Sequence, residues 1–567
     1  MKFKTALLLF TAGLLLSGLK LKAQDTLNQV QIEVQGEYNA TVADAVKIDY
    51  NPQIDPPTLN PPTLTYSVEG KSYKTKPEIA PAKAQSYSNK KTDRQYGNYT
   101  KLGYGMYKMP LFETYFHNTI AKQIDYGIYA KHLSGQYDSA HQIFSDNNVK
   151  GHIGYRLSSN QELSAEAEYE RNRNNFVQRT SPYVLNIDST KNVYNYARGA
   201  VNYTRTAPSK DGFGYSGNLQ YHFQNKMEAN REHYISLGGG VKKAIRGHEL
   251  YAPLQFTNLS FGNDSAAYKR LYIDVNPRYA LDYNRLKLNV GFNSSIFHDS
   301  ADSRFYFYPV VDFKMVLVEN KLMAHIGLDG GVRQNSYHSI VKENMFVDSR
   351  LFGYSYANNA AFRDTTSNLL HSNVKNRVYA GLWGSIGNHA MLSVEADFGN
   401  YMNMPFYVGD TSNVQKYYIL YDNVDILNVK ATCQLQWAED FKTVVEATYH
   451  NYKPDGQQYY WNMPDIDAKL HAIYNYKNMF TARLTTYYVG QRYAKNFEHT
   501  DAFGARLDTA VTTLKPFVDV NLNLEYRYNK MISVFVNAAN LTNAAYQRWN
   551  YYPSYRLNIL GGVAFTF

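Results

Sequence analysis

From Val518 to Tyr528 every second residue is apolar or aromatic. Val518, Val520, Leu522, Leu524, Tyr526 and Tyr528 share one face, and Asp519, Asn521, Asn523, Glu525 and Arg527 share the other. A period of two belongs to an extended strand, whose successive side chains point to opposite sides. Charges at alternate positions would be costly in a dry core. They suit a strand with one face in lipid and the other on a wet lumen. The same alternation sets Leu163, Ala165, Ala167 and Tyr169 against Ser164, Glu166, Glu168 and Glu170, and Leu286, Leu288, Val290 and Phe292 against Lys287, Asn289, Gly291 and Asn293. It returns over Tyr555–Phe567, where Tyr555, Leu557, Ile559, Gly561, Val563, Phe565 and Phe567 face one way and mostly small or polar residues the other. A sheet in lipid must close, because each unpaired edge group costs several kcal/mol. This stretch is therefore expected to be the closing strand, with Val563, Phe565 and Phe567 as its barrel-assembly signal.

Short turns punctuate the alternation at Ser159-Asn160, Arg246-Gly247, Asn284-Arg285, Asn320-Lys321, Gly387-Asn388, Glu439-Asp440, Lys477-Asn478 and Asn529-Lys530. Between them fall longer polar loops, at 172–190, 296–303, 336–370, 400–414, 450–464, 496–512 and 541–553. Short turns at one end and long loops at the other predict an all-β, antiparallel up-and-down transmembrane barrel, with the short turns periplasmic. The register gives about 22 strands; the first three are expected near 96–107, 110–119 and 124–137. Tyr283, Tyr476 and Tyr528 each sit beside a short turn, which suits a periplasmic aromatic girdle. Asp519, Asn521, Asn523, Glu525 and Arg527 should face the lumen, with Glu166, Glu168, Lys287 and Asn289. Their mixed signs argue against a simple ion filter and fit either a wet wall or charges paired across the lumen.

The start of the chain differs. Lys2 and Lys4 precede the apolar run Ala6–Leu16, and Leu21-Lys22-Ala23 precedes a plausible cut, so residues 1–23 read as a signal peptide. Residues 24–92 carry seven prolines between Pro52 and Pro81 and read as a largely unstructured periplasmic arm. The barrel would occupy 93–567. Composition agrees, with 53 Tyr and 15% aromatic residues beside a mean hydropathy of −0.49. Half of each barrel strand meets water, so a low average is expected.

Cys433 is the single cysteine, which excludes a disulfide framework and a cysteine-based metal site. The net charge of +10 includes Lys2, Lys4, Lys20 and Lys22, and the remainder is dispersed; nucleic-acid binding has no support. His298-Asp299-Ser300 offers catalytic residue types, but neighbours in a loop do not make a triad. No histidine pair has zincin spacing and no glycine-rich loop opens a helix, so no enzyme activity, cofactor or metal is expected.

The end of the chain resembles a known family. Val534-Phe-Val-Asn-Ala-Ala-Asn-Leu-Thr-Asn-Ala-Ala-Tyr546, then Tyr551-Tyr-Pro-Ser-Tyr-Arg556 and Gly561-Gly-Val-Ala-Phe-Thr-Phe567, is similar to the last hairpin of TonB-dependent receptors. The strand count is also theirs, and the Tyr-rich style is similar to barrels of the Bacteroidota. Family members carry a folded plug, which needs on the order of 100 residues; the arm here is shorter and proline-rich, so the chain reads as plugless. Val30, Ile32 and Val34 alternate with polar residues and resemble the short box that adds as a strand to TonB. The resemblance implies an integral protein of a Gram-negative outer membrane that transports an unknown solute or polymer. Its partners would be outer-membrane lipid, the barrel assembly machinery, and a surface lipoprotein, other outer-membrane subunits or TonB. The barrel would be porin-like in lacking a plug, and the alternative is a non-transporting scaffold subunit of an outer-membrane assembly or export complex. Something should close so wide a lumen: the arm, the loops or a partner. Loop 336–370, with Met345, Phe346, Leu351 and Phe352, is one candidate.

Overall fold

The computed structural model describes residues 97–567 except 122, 138–141, 177–190, 207–211, 227–230, 246, 263–266, 300–301, 348–368, 388, 410–415 and 498–508. The signal peptide, the arm and the TonB-like stretch Val30–Val34 lie outside the described residues, as do Leu351 and Phe352. The rest is a closed 22-stranded antiparallel barrel. Its opening strands are Tyr99–Gly105, Met109–Ile120 and Ile124–Gln136. One wall position is shared by Ala267–Val275 and Arg278–Tyr283, which pair with the same two neighbours. The break falls at Pro277, which lacks the N–H a continuous ladder needs.

Closure is made by Tyr99–Gly105 against Asn558–Thr566, with Gly103 opposite Gly562. A Cβ on Gly562 would lie 2.1 Å from the Leu102 carbonyl oxygen and 2.7 Å from the Phe535 ring. Beside the seam Met109, Phe535, Leu560 and Ala564 form a buried apolar cluster. The closing strand is therefore apolar on both faces near its start, where the sequence suggested small or polar residues inside. It also begins later than expected. Tyr555 stands outside it and donates its hydroxyl to the Gln142 carbonyl at 2.6 Å.

The wall alternates. Leu219, Leu237, Leu254, Ile326, Val378 and Val394 are exposed on the outer face. The inner face pairs its charges laterally. Arg377 grips Asp329 on the adjacent strand at 2.8 and 2.6 Å, and Lys150 reaches Glu168 directly opposite it at 2.6 Å. Most short turns use residues that tolerate positive φ, including Gly247, Asn284, Asn320, Gly387 and Asn478, and Lys477 adopts it as well.

The opposite end departs from the sequence expectation. Residues 400–409 continue a strand, Ala390–Gly409, that pairs with Tyr417–Ala438, 22 residues long. Spanning needs only about 9–11 residues, so this hairpin rises well past the bilayer. Residues 296–299 are also strand, and the expected loop 496–512 holds part of a hairpin, Arg492–Phe497 with Thr509–Leu514. The reason lies in composition. Phe406-Tyr407-Val408 and Tyr417–Leu420 are strand formers with apolar partners on both faces.

Candidate functional site

The segment after strand Leu322–Arg333 turns inward and builds a cap at this tall end. Ser336 starts a short helix, Tyr337–Glu343. Its hydroxyl oxygen accepts from Ser339 N at 3.0 Å, and Ser339 Oγ accepts from Ser336 N at 3.0 Å, which satisfies two otherwise unpaired donors. Tyr337, Ile340 and Val341 are buried, the i, i+3, i+4 spacing of one helix face. The chain then runs through Met345 and Phe346 to Val347, which bridges to Tyr417; Tyr417 N donates to Phe346 O at 3.0 Å. On the return, Asn335 Nδ2 donates to Leu370 O at 2.7 Å, holding the base of the segment together.

Anchors come from separate sectors of the wall. Glu232, fully buried, accepts the backbone N–H of Tyr337 and, at 3.2 Å, that of His338. His222 lies 3.0 Å from the same carboxylate, and His338 Nδ1 meets Gln224 Oε1 at 2.6 Å. Asn192 Nδ2 and Tyr194 OH both donate to Met345 O, at 2.6 and 2.9 Å. Tyr407 OH donates to Glu343 at 3.1 Å. Tyr337, Ile340, Val341 and Val347 share one buried cluster with Tyr194, Leu259, Phe261, Tyr407, Tyr417 and Ile419. Each large apolar side chain so buried contributes roughly 1.5–3 kcal/mol, which holds the segment against two sides of the lumen at once.

The tall hairpin is packed on both faces. Tyr407, Tyr417 and Ile419 meet the helix segment, while Phe406, Val408, Tyr418 and Leu420 pack around Trp461. Arg492, 4% exposed, donates to Arg548 O at 2.6 Å and Gln547 O at 2.7 Å, joining the 492–514 hairpin to the final loop. Tyr417 OH donates to Asn550 O at 2.7 Å and Phe346 stacks on Tyr552. A cleft of about 240 Å³ remains beside the helix, lined by Asn175, Lys342, Glu343, Phe346, Arg548 and Trp549 among others.

Burial also tunes two imidazoles outside the spanning strands. Burial, with His222 and Lys342 nearby, pushes His338 down to about 4. Burial, with Arg270 and Arg304 nearby, pushes His371 down to about 4 as well.

With this geometry in view, comparison with solved structures is informative. The FrpB iron transporter from Neisseria meningitidis superposes with a TM-score of 0.64 at 10% identity, covering 84% of this chain and 82% of that one. The barrel has the fold of the TonB-dependent receptors. The pyoverdine outer membrane receptor FpvA from Pseudomonas aeruginosa PAO1 gives 0.63 at 11% identity over 84% and 79% of the two chains. The ferric-catecholate import receptor Fiu from K12 E. coli gives 0.62 at 9% over 83% and 82%. No family model and no curated protein matches the sequence.

The residues singled out in the sequence fall on different parts of the barrel. Tyr283, Tyr476 and Tyr528 are exposed beside the short turns. Phe565 and Phe567 are exposed on the outer face, and Phe567 packs its ring on Phe116 at 5.5 Å. Asp519 accepts from Tyr546 OH at 2.9 Å, and Asn521 from Asn540 N at 3.0 Å. Asn523 accepts from Arg483 at 3.0 Å, and Glu525 lies 3.8 Å from the same guanidinium. Arg527 sits at the short-turn end, its backbone N–H donating to Met479 O at 2.7 Å. Asn523 and Glu525 meet at Arg483, and the described bonds of the other three lead elsewhere. His298 contacts Ser303 Oγ at 2.6 Å, so its described partner is a wall hydroxyl. The cap residues Glu232, His222, Gln224, His338 and Arg492 were not singled out. Their one signal was polarity, at the tall ends of strands for Glu232, His222, Gln224 and Arg492 and within the expected loop for His338, which lumen and loop residues share everywhere.

Proposed function

We propose that the protein is an outer-membrane transport barrel whose outer mouth is closed by its own wall-derived cap. The observation that carries this is the cap's anchorage. A segment fixed to Glu232 and Asn192 on one side and to Tyr407 and Tyr417 on the other spans the lumen instead of hanging outside it. In this reading the short turns and residues 24–92 are periplasmic, and Tyr283, Tyr476 and Tyr528 lie at that interface. Passage of a solute requires the cap to swing away from one set of anchors. The cleft beside Lys342, Glu343 and Arg548 is where a solute arriving from outside first meets mixed charge and aromatic surface. The fold similarity supports transport and leaves the solute open.

The deciding experiment is conductance in a planar bilayer. The full chain is compared with a variant in which residues 334–371 are replaced by a short glycine-serine turn. Closed wild-type channels and open variant channels are expected. A variant that stays closed, with a stoichiometric set of partner proteins recovered from mildly solubilised membranes, would overturn transport in favour of the scaffold reading.

A further inference from the structure

The opposite end of the lumen carries a separate constellation. His117 on strand Met109–Ile120, Asp125 on Ile124–Gln136 and His152 on Ile143–Ser158 come from three successive strands. Their outer neighbours Phe116, Ile128 and Ile153 are exposed apolar residues, so all three point inward. In the ladder His117 is opposite Gly127, and Gly127 is opposite His152. Two strand spacings separate the histidine backbones by roughly 10 Å, yet their ring centres are 6.0 Å apart. The rings lean toward each other over Gly127, and the missing side chain makes this possible. A Cβ there would lie 2.4 Å from His152 Cε1.

Asp125 sits two residues before Gly127 on the same inner face. Its Oδ1 contacts His117 Nε2, and its Oδ2 lies 3.8 Å from His152 Nε2. One donor atom from each residue lies within 4.8 Å of the other two. Donors on one first-row ion are separated by about 3 Å, given bonds of roughly 2.0–2.2 Å. Small rotamer adjustments therefore suffice. The side chains are 34%, 48% and 36% exposed, so water reaches the remaining coordination positions. His117 is held in place by its own backbone N–H, which donates to Asn98 Oδ1 at 2.6 Å next to the seam.

We propose that His117, Asp125 and His152 bind a divalent first-row transition-metal ion on the lumen wall. Two imidazoles and one carboxylate suit zinc, copper or nickel better than calcium or magnesium, which prefer all-oxygen sites. Three donors on one side leave the lumen side for water or for a donor from a passing ligand.

The test uses the full chain, folded in detergent, without a polyhistidine tag and stripped with chelator. Cobalt(II) is titrated by its visible absorption, and zinc is then added in competition. One saturable equivalent is expected in the wild type. His117→Gln and His152→Gln keep the lumen face polar and should each weaken binding at least ~100-fold, beyond the loss typical of an outer-shell partner. Gly127→Ala keeps all three donors and should also weaken it, because it displaces the His152 ring. Folding is checked by the heat-dependent gel shift of closed barrels. A wild type without a saturable equivalent, or glutamine variants with an unchanged titration, would overturn the site.

Discussion

The carboxylate of Glu232 accepts the backbone N–H of His338, 106 residues further along the chain. One buried side chain thus takes up two N–H groups of the helix Tyr337–Glu343, contacts His222 and ties the segment to the wall. Removing it as Glu232→Ala leaves buried donors unsatisfied, at a cost of about 3 kcal/mol of cap docking. Amide exchange over 337–347 should accelerate about 100-fold with strand amides unchanged. Unaltered exchange there would show that the apolar cluster alone holds the cap.

Acid should loosen the same contact. An undocked histidine titrates near 6.5, whereas docked His338 does so at about 4 because burial opposes its charge. The undocked segment therefore binds the proton first. The docking stability is fully present above pH 6.5 and is lost progressively as pH falls from there to about 4, by on the order of 3 kcal/mol. His371 acts in the same direction over the same window. Single-channel opening should rise between pH 6.5 and 4.5, and His338→Phe should flatten that response.

Arg492 offers a test confined to the far side of the cap. Arg492→Ala removes two charge-assisted hydrogen bonds to carbonyls, each worth about 1.5–3 kcal/mol. Exchange at 547–552 should quicken, while the Glu232-anchored helix stays protected. Equal loosening of both would mean that the cap moves as one unit.

At the seam, Gly562→Val should impair closure. Its first added carbon would overlap the Leu102 carbonyl oxygen at 2.1 Å, and that atom is backbone and cannot swing aside. The folded, heat-shiftable fraction should fall markedly, with Gly561→Ala, where the nearest atom is 3.7 Å away, as the tolerant control.

The wall was legible because lipid and lumen impose a strict period of two, as in Val518–Tyr528, and because Asn284, Asn320 and Asn478 mark turns chemically. The cap was not. Phe406, Tyr407 and Val408 are consecutive apolar residues whose two faces are both covered by protein, so they lack the period of two that marks the wall and fell within the expected loop 400–414. The helix Tyr337–Glu343 is two turns long, below the length at which an apolar stripe stands out, and its start depends on Ser336 and Ser339 bonding to each other. Likewise, His117, Asp125 and His152 are 8 to 35 positions apart in the chain and meet only through the register of three strands. Spacing along the sequence does not reveal that register.

The cap's contacts join residues separated by 106 and 153 positions. Such pairings pay their loop-closure entropy before they gain anything. They cannot form until the strands bearing them are in register, so docking of the segment follows pairing of those strands. A strand that slipped by even one rung would present its anchors to the wrong side. Docking of 335–347 thus reports on correct construction of the wall that carries its anchors.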